Sequence, residues 1–305
     1  MEKQTYTKSP LGVQEQINLL KSRGLQIPDE SRATRYLQNI SYYRLSGYMY
    51  PFLVDTKQHI YKTGTTFEDI LNLYRFDREL RLLMFSAIEK IEIALRSQII
   101  NQFSVTSQDS FWYTKSAYFA NPVKHYDFLN GLSAYIKRSN DTFIKHFYNT
   151  YSDPWPPVWI IFEILSMGQF SILYSITAKS PARKAVADYF GVKETVFSTW
   201  LHTLVYTRNI CAHHSRLWNK DLRIPVKLPK KTTNKWLSDS NLTNRKVYVV
   251  LAIICYLLDT ITPHHNFRQK LKDLITKYPY TDIVAMGFPQ TWGSDSFWVK
   301  SDQCL

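Results

Sequence analysis

A chain of 305 residues with 45% hydrophobic content is long enough to bury a sizeable core, as one large domain or two small ones. Its 38 Lys and Arg against 25 Asp and Glu leave a net charge of +13, which attracts polyanions, nucleic acid first among them. Its three cysteines, Cys211, Cys255 and Cys304, form no CxxC pair, which argues against a disulfide framework or a cysteine-based zinc site and suits a reducing cytoplasm.

Only 9 glycines favour long helices over a turn-rich β architecture, and hydrophobic periodicity places those helices. Residues 10–24 predict a short helix, with Val13, Ile17, Leu19 and Leu20 apolar and Gly24 ending it. A second begins at Ser31 and runs into the tyrosine-rich stretch 42–50. Residues 52–66 are polar, and the alternation His59-Ile60-Tyr61 allows one small β-hairpin. Residues 67–103 form the longest periodic segment, whose Asp77–Arg81 and Glu92–Arg96 pairs read as i,i+4 supports of a solvated face. After an irregular stretch over 104–122, helices are predicted over 126–138 and 141–151. The break SDPWPP at 152–157 then starts a helix from 158 to 176. A short helix over 182–190 and a long one over 193–218 follow, then a basic, proline-interrupted loop over 220–236. The last helices cover 243–260 and 263–277, before an irregular tail. The longest apolar run, 249–258, falls well short of the about 20 residues a bilayer requires, and the N-terminus has no apolar leader segment, so no membrane partner is expected. The expectation is an all-α protein: residues 1–65 a helical segment with a tyrosine-rich motif, 66–278 the main helical domain and 279–305 an irregular tail.

The stretch YTRNICAHHSRLWN at 206–219 carries most of the chemistry. The residues before it, Val196, Phe197, Trp200, Leu201, Leu204 and Val205, recur at helical spacing and read as a buried face. Such a helix has little reason to gather Arg208, Asn209, His213 and His214 unless an anion binds there. The arginine fork suits phosphate and the imidazole titrates near neutrality, so the pair can cleave RNA without a metal. Asn209, His213 and Arg216 fall on one stripe of a helix through 218. Arg208 and His213, five apart, diverge by about 140°. One phosphate meets both only if the helix is distorted or two copies pool their residues, and the second option predicts a homodimer with a shared site. The bland alternative is a polar face with a capping network.

His214 points about 100° from His213, which fits substrate contact or packing. Neither His213-His214 nor His264-His265 is expected to hold a metal, because adjacent histidines on a helix diverge and no carboxylate or cysteine sits nearby at ligand spacing. Glu163, the lone charge in WIIFEILSMG, reads either as a buried carboxylate paired with an arginine or as a residue orienting the site. Tyr42, Tyr43, Arg44 and Tyr48 read either as nucleotide contacts by stacking and phosphate binding or as core packing with hydroxyls at the rim; the packing reading is preferred for the tyrosines, with Arg44 retained as an RNA contact. Arg216, Lys220, Arg223, Lys227, Lys230, Lys231 and Lys235 form a basic run opposed only by Asp221. Following the motif directly, the run reads as an RNA track, with a solvated loop as the alternative.

Arg208-Asn209-x-x-x-His213 resembles the Arg-x4–6-His signature of the HEPN superfamily of helical ribonucleases. The fuller string RNICAHHSRLWN resembles the Abi-like bacterial abortive-infection proteins of the AbiD/AbiF type. ISYYRLSGYMYPF at 40–52 and YRFDRELRLLMFSAIEKIEIALRSQI at 74–99 resemble further signatures of that family, so the likeness spans roughly residues 11–275. It implies a HEPN-type helical bundle with additional helices and a cytoplasmic, bacterial endoribonuclease needing no metal or cofactor. It further implies a toxic role in phage defence and an associated small structured RNA. Arg208, Asn209 and His213 would be catalytic. His214, Arg216, Lys220, Arg223, Lys227, Lys230, Lys231 and Arg44 would contact RNA. The alternative is a non-catalytic RNA-binding scaffold in which the Arg-x4-His motif is structural. A helix-turn-helix regulator has little support, for no turn between two short helices presents a polar recognition face.

Overall fold

Helical periodicity dominates the chain, and the computed structural model, which describes residues 5, 7–239 and 242–299, is mostly all-α. Among the described residues are twelve α-helices and one two-stranded antiparallel sheet. Cys304 lies outside the described residues. The chain divides into two compact units, residues 1–80 with 273–281, and 81–272 with 282–305.

The first unit contains α1 (Val13–Ser22), α2 (Glu30–Ile40), α3 (Tyr42–Met49), the hairpin of β1 (Leu53–Asp55) and β2 (Ile60–Tyr61), and the start of α4 (Phe67–Ser107). The expected passage of the second helix straight into the tyrosine stretch is corrected. Ser41 turns to φ 74°, and its hydroxyl accepts the Arg44 amide to cap a new helix. Ile17, Leu20, Leu37, Leu45, Ile70 and Phe76 fill the core of this unit. Tyr48 is buried among them and donates from its hydroxyl to Asp77 Oδ2 at 2.6 Å, whereas Tyr43 and Tyr50 are exposed.

The second unit takes in the rest of α4, then α5 (Pro122–Arg138), α6 (Thr142–Thr150), α7 (Val158–Ile164), α8 (Met167–Ile176), α9 (Pro181–Tyr189), α10 (Glu194–Ala212), α11 (Val247–Ile261) and the start of α12 (Phe267–Lys277). The single helix expected over 158–176 is two. Ser166 breaks it by capping α8 in a reciprocal pair with Gln169, each side chain bonding the other's amide. α10 packs against α8, α9 and α11. α11 is buried from Val247 to Leu258, the behaviour of a helix that is apolar all round. No helix among the described residues is long and apolar enough to cross a membrane.

The charged pairs of α4 do not line a solvated face. Asp77 is fully buried and Arg81 nearly so, and Glu92 and Arg96 are less than a fifth exposed. Buried charges persist where hydrogen bonds replace water. Asp77 accepts from Tyr48, and Arg81 Nη1 donates to the Ser215 carbonyl at 3.4 Å.

Candidate functional site

α10 buries Val196, Phe197, Trp200, Leu201 and Leu204 and then stops at Ala212, short of the predicted end at 218. Its close is a Schellman turn: His214 N–H donates to the Cys211 carbonyl at 3.1 Å and Ser215 N–H to the Ile210 carbonyl at 3.0 Å. That geometry places His214 at φ 55°, a conformation glycine usually supplies. His213 is the cap residue and keeps the helical bond to Asn209 at 2.9 Å. Asn209 and His213 therefore still share a stripe, and both are exposed. Arg216 does not share it, because the turn carries the chain off the helix axis before that residue. Beyond it, Leu217 and Trp218 are buried, and Trp218 Nε1 donates to the Asp282 carbonyl at 3.0 Å.

Arg208 points into a cleft of about 710 Å³ lined by Phe85, Glu89, Glu92, Ile93, Arg96, Ser97, Ile100 and Asn101 of α4, and by Trp159 and Glu163 of α7. The guanidinium lies 5.8 Å over the Phe85 ring. Its Nε is 4.0 Å from Glu92 Oε2, an ion pair beyond hydrogen-bond reach, and this buried Nε has no hydrogen-bond partner. Glu92 is committed elsewhere, receiving Arg96 Nη2 at 2.6 Å, while Arg96 also donates to the Phe162 carbonyl. Glu163 is exposed on the cleft wall, which sets aside its reading as a buried ion-pair partner. Glu89 was not singled out in the sequence, and Glu92 and Arg96 were read there only as an i,i+4 pair on a solvated face, not as part of a site. The signal was their spacing, since Phe85, Glu89, Glu92 and Arg96 recur every three or four residues along one stripe of α4. His213 is not among the residues that line this cleft.

The basic loop after the motif is held by its backbone. Leu222 and Val226 amides donate to the Arg245 and Asn244 carbonyls at 2.7 and 2.9 Å, and Trp200 Nε1 donates to the Lys227 carbonyl at 3.1 Å. The Thr233 amide reaches the Gly191 carbonyl at 3.0 Å. Gly191 is required there: it sits at φ 67°, and a Cβ would lie 2.7 Å from Thr233 Cβ and 2.8 Å from the Tyr256 hydroxyl. Arg223, Lys227, Lys230, Lys231 and Lys235 point outward from this fixed chain, with Lys220 and Arg216 half-buried. Asp221 is paired with Lys246 at 2.8 Å. Arg44 is exposed on α3, in the first unit.

His265 corrects the expectation that no carboxylate or cysteine lies at ligand distance from the second histidine pair. Ligand atoms of Cys255, Asp259 and His265 all lie within 4.8 Å of one another. The Arg268 fork grips both Asp259 oxygens, at 2.7 and 2.6 Å. His265 Nδ1 accepts the Phe267 amide, which leaves Nε2 to donate to Asp259 at 3.0 Å. Burial pushes the Asp259 carboxyl up, and the bonds from Arg268 and His265 outweigh it, bringing it down to about 2. A guanidinium already supplies the positive charge that a metal ion would, so the cluster reads as a structural tie between α11 and α12.

Among known proteins, the family described as Abi-like protein matches over residues 35–219, more than half of the chain. No curated protein and no solved structure matches it.

Proposed function

The chain belongs to the Abi-like protein family, and from that premise we propose that it is a metal-independent endoribonuclease of the HEPN type, close to the AbiD/AbiF group and used as a toxic effector against phage. What supports this reading is that one helix end carries both a preset arginine and an open histidine, on diverging faces. Arg208 is held by Phe85 and Glu92 with an unbonded Nε, while Asn209 and His213 stand in solvent at the last turn of α10. An RNA 2′-hydroxyl would attack the adjacent phosphorus, its proton passing to a base, and the 5′-oxygen would leave with a proton. The products are a 2′,3′-cyclic phosphate and a 5′-hydroxyl. His213 would serve the proton transfer, a role worth typically about 10²–10⁴-fold. Arg208 would hold charge on the phosphoryl oxygens, and Asn209 would orient the ring or the phosphate. The cleft's three carboxylates would position Arg208 and keep phosphate off the α4 wall, so RNA would approach from the His213 side, along the outward-facing cations of the basic loop.

Because Arg208 and His213 diverge, the reading includes a two-fold dimer that pools them. Phe85, Ile93 and Trp159 are exposed apolar side chains that line the cleft with Arg208, Leu82 is exposed on α4 three residues before Phe85, and a second copy would cover them. A small structured RNA would be a further partner. The test is labelled RNA in EDTA. Wild type should cut it and leave the matching DNA intact, and Arg208→Ala and His213→Ala should each lower the rate at least a hundredfold. A strict need for a divalent ion rules out the mechanism, and unchanged toxicity in both variants makes the motif structural and the protein an RNA-binding scaffold.

A further inference from the structure

A second cleft lies elsewhere in the same unit and differs from the first in charge. It measures about 650 Å³, within the usual range for small-ligand sites, and is framed by the end of α5, the turn after it, α6, and the Pro154-Trp155 corner. Lys137 and Lys145 line it, and no carboxylate does. Two acids adjoin the lining segments: Asp141, whose Oδ2 accepts from the Ser139 hydroxyl at 2.6 Å, and Asp153, which is exposed beside Pro154. The wall is aromatic and fixed: the Tyr148 hydroxyl donates to the Pro154 carbonyl at 3.2 Å, and Trp155 stands edge-on to the buried Tyr113 at 6.5 Å. Ser133, Ser139 and Asn149 add polar groups around an apolar floor of Ile136 and Ile144. Lys137 has a local reason to be where it is, since a cation in the last turn of α5 offsets the helix dipole. Lys145, early in α6, has no such reason.

We propose that this cleft binds one unpaired nucleotide of single-stranded RNA, its base against Trp155 and Tyr148 and its flanking phosphates on Lys137 and Lys145. An aromatic wall, a pair of ammonium groups and a lining without a carboxylate suit a stacked base with a charged backbone, and stacking tolerates any base because every base has a π-face. The inference rests on RNA being the ligand of the proposed nuclease, and it gives that substrate a second point of attachment away from the Arg208 cleft. The attachment would prefer unpaired RNA, because a base inside a duplex cannot reach the wall.

The test uses the full chain and 2′-fluoro single-stranded RNA, which cannot be cut by 2′-hydroxyl attack. Affinity is followed by fluorescence anisotropy over a salt series. Replacing both lysines, Lys137→Gln with Lys145→Gln, should reduce the slope of log K against log salt by about 1.4, two contacts at roughly 0.7 each for a single strand. A duplex of the same sequence should lose little. Ultraviolet cross-linking of 5-iodouridine RNA to unmodified protein, read by mass spectrometry, should place adducts on Trp155 or Tyr148 and needs no variant to fold. An unchanged slope, or adducts confined to other segments, overturns the proposal. The two readings fail separately: wild-type protein that leaves RNA uncut in EDTA removes the nuclease assignment, and the slope and cross-linking results at this cleft stand as they are.

Discussion

His214 holds φ 55° because the Schellman turn that ends α10 needs a left-handed residue at its position. A non-glycine residue there costs roughly 1–2 kcal/mol, part of which glycine would give back as unfolded-state entropy. His214→Gly should therefore stabilise the fold by about 0.5–1 kcal/mol, and His214→Val should destabilise it, since a β-branched residue fits that conformation worst. If the imidazole contacts RNA, the glycine variant gains stability and loses RNA affinity together. Urea titration beside anisotropy separates the two effects, and a gain in stability with unchanged affinity would remove His214 from the binding surface. Glu92 carries a different dependence, because it neutralises Arg96 and stands beside Arg208. Glu92→Ala should cost about 1–3 kcal/mol by leaving Arg96 without its partner. It should also slow RNA cleavage more than Glu163→Gln does, which is checked by comparing single-turnover rates of the folded proteins.

α11 and α12 are joined by the Asp259–Arg268–His265 network, and its titration sets a pH window for their association. Asp259 falls from the ordinary 3.8 to about 2, so its contribution is fully present above pH 4 and is lost as pH drops toward 2. A shift of that size corresponds to roughly 2 kcal/mol. Asp259→Asn should thus cost at least that much at pH 5, where it also leaves Arg268 facing a neutral amide, and progressively less as the pH is lowered through 3. Guanidine unfolding at the two pH values reads the difference, and an equal cost at both would mean that the network contributes through packing alone. The basic loop obeys a similar logic. Its backbone is fixed to Arg245, Asn244, Trp200 and Gly191, so RNA bound there as proposed would have only the exposed side chains, and not the backbone, to order.

The proposed dimer makes a prediction that neither helix end nor loop can make alone. A two-fold interface is self-complementary, so each of its two sites would take Arg208 from one copy and His213 from the other. Mixing inactive Arg208→Ala protein with inactive His213→Ala protein should restore cleavage, because each heterodimer keeps one intact site. Activity recovered at up to half the wild-type level, with light scattering at twice the chain mass of 36.0 kDa, is the expected result. A mixture that stays inactive while both proteins dimerise would place the two residues of a site on one chain. Leu82→Glu or Ile93→Glu, on exposed apolar positions of α4, should shift the protein toward monomer without unfolding it.

Local rules read from the sequence sufficed where chemistry is local. The helical class, the hairpin near residue 60, the buried α11 and the Abi-like family all follow from periodicity, from turn residues and from short ordered motifs. The motif helix was legible up to its last turn, since Val196, Phe197, Trp200, Leu201 and Leu204 bury one face. Its end at Ala212 was not, because no glycine marks it; a histidine takes the left-handed position, and burial of Leu217 and Trp218 supplies the force that turns the chain. The break at Ser166 announced itself only weakly as Ser-x-x-Gln. Burial of the α4 charges was hidden for a further reason: an i,i+4 acid–base pair has the same spacing in water or in a core. Only the tertiary structure supplies Tyr48 for Asp77, the Ser215 carbonyl for Arg81 and the cleft that makes Glu92 a neighbour of Arg208, because those partners lie 29, 134 and 116 residues apart in the chain, where helical periodicity has no reach.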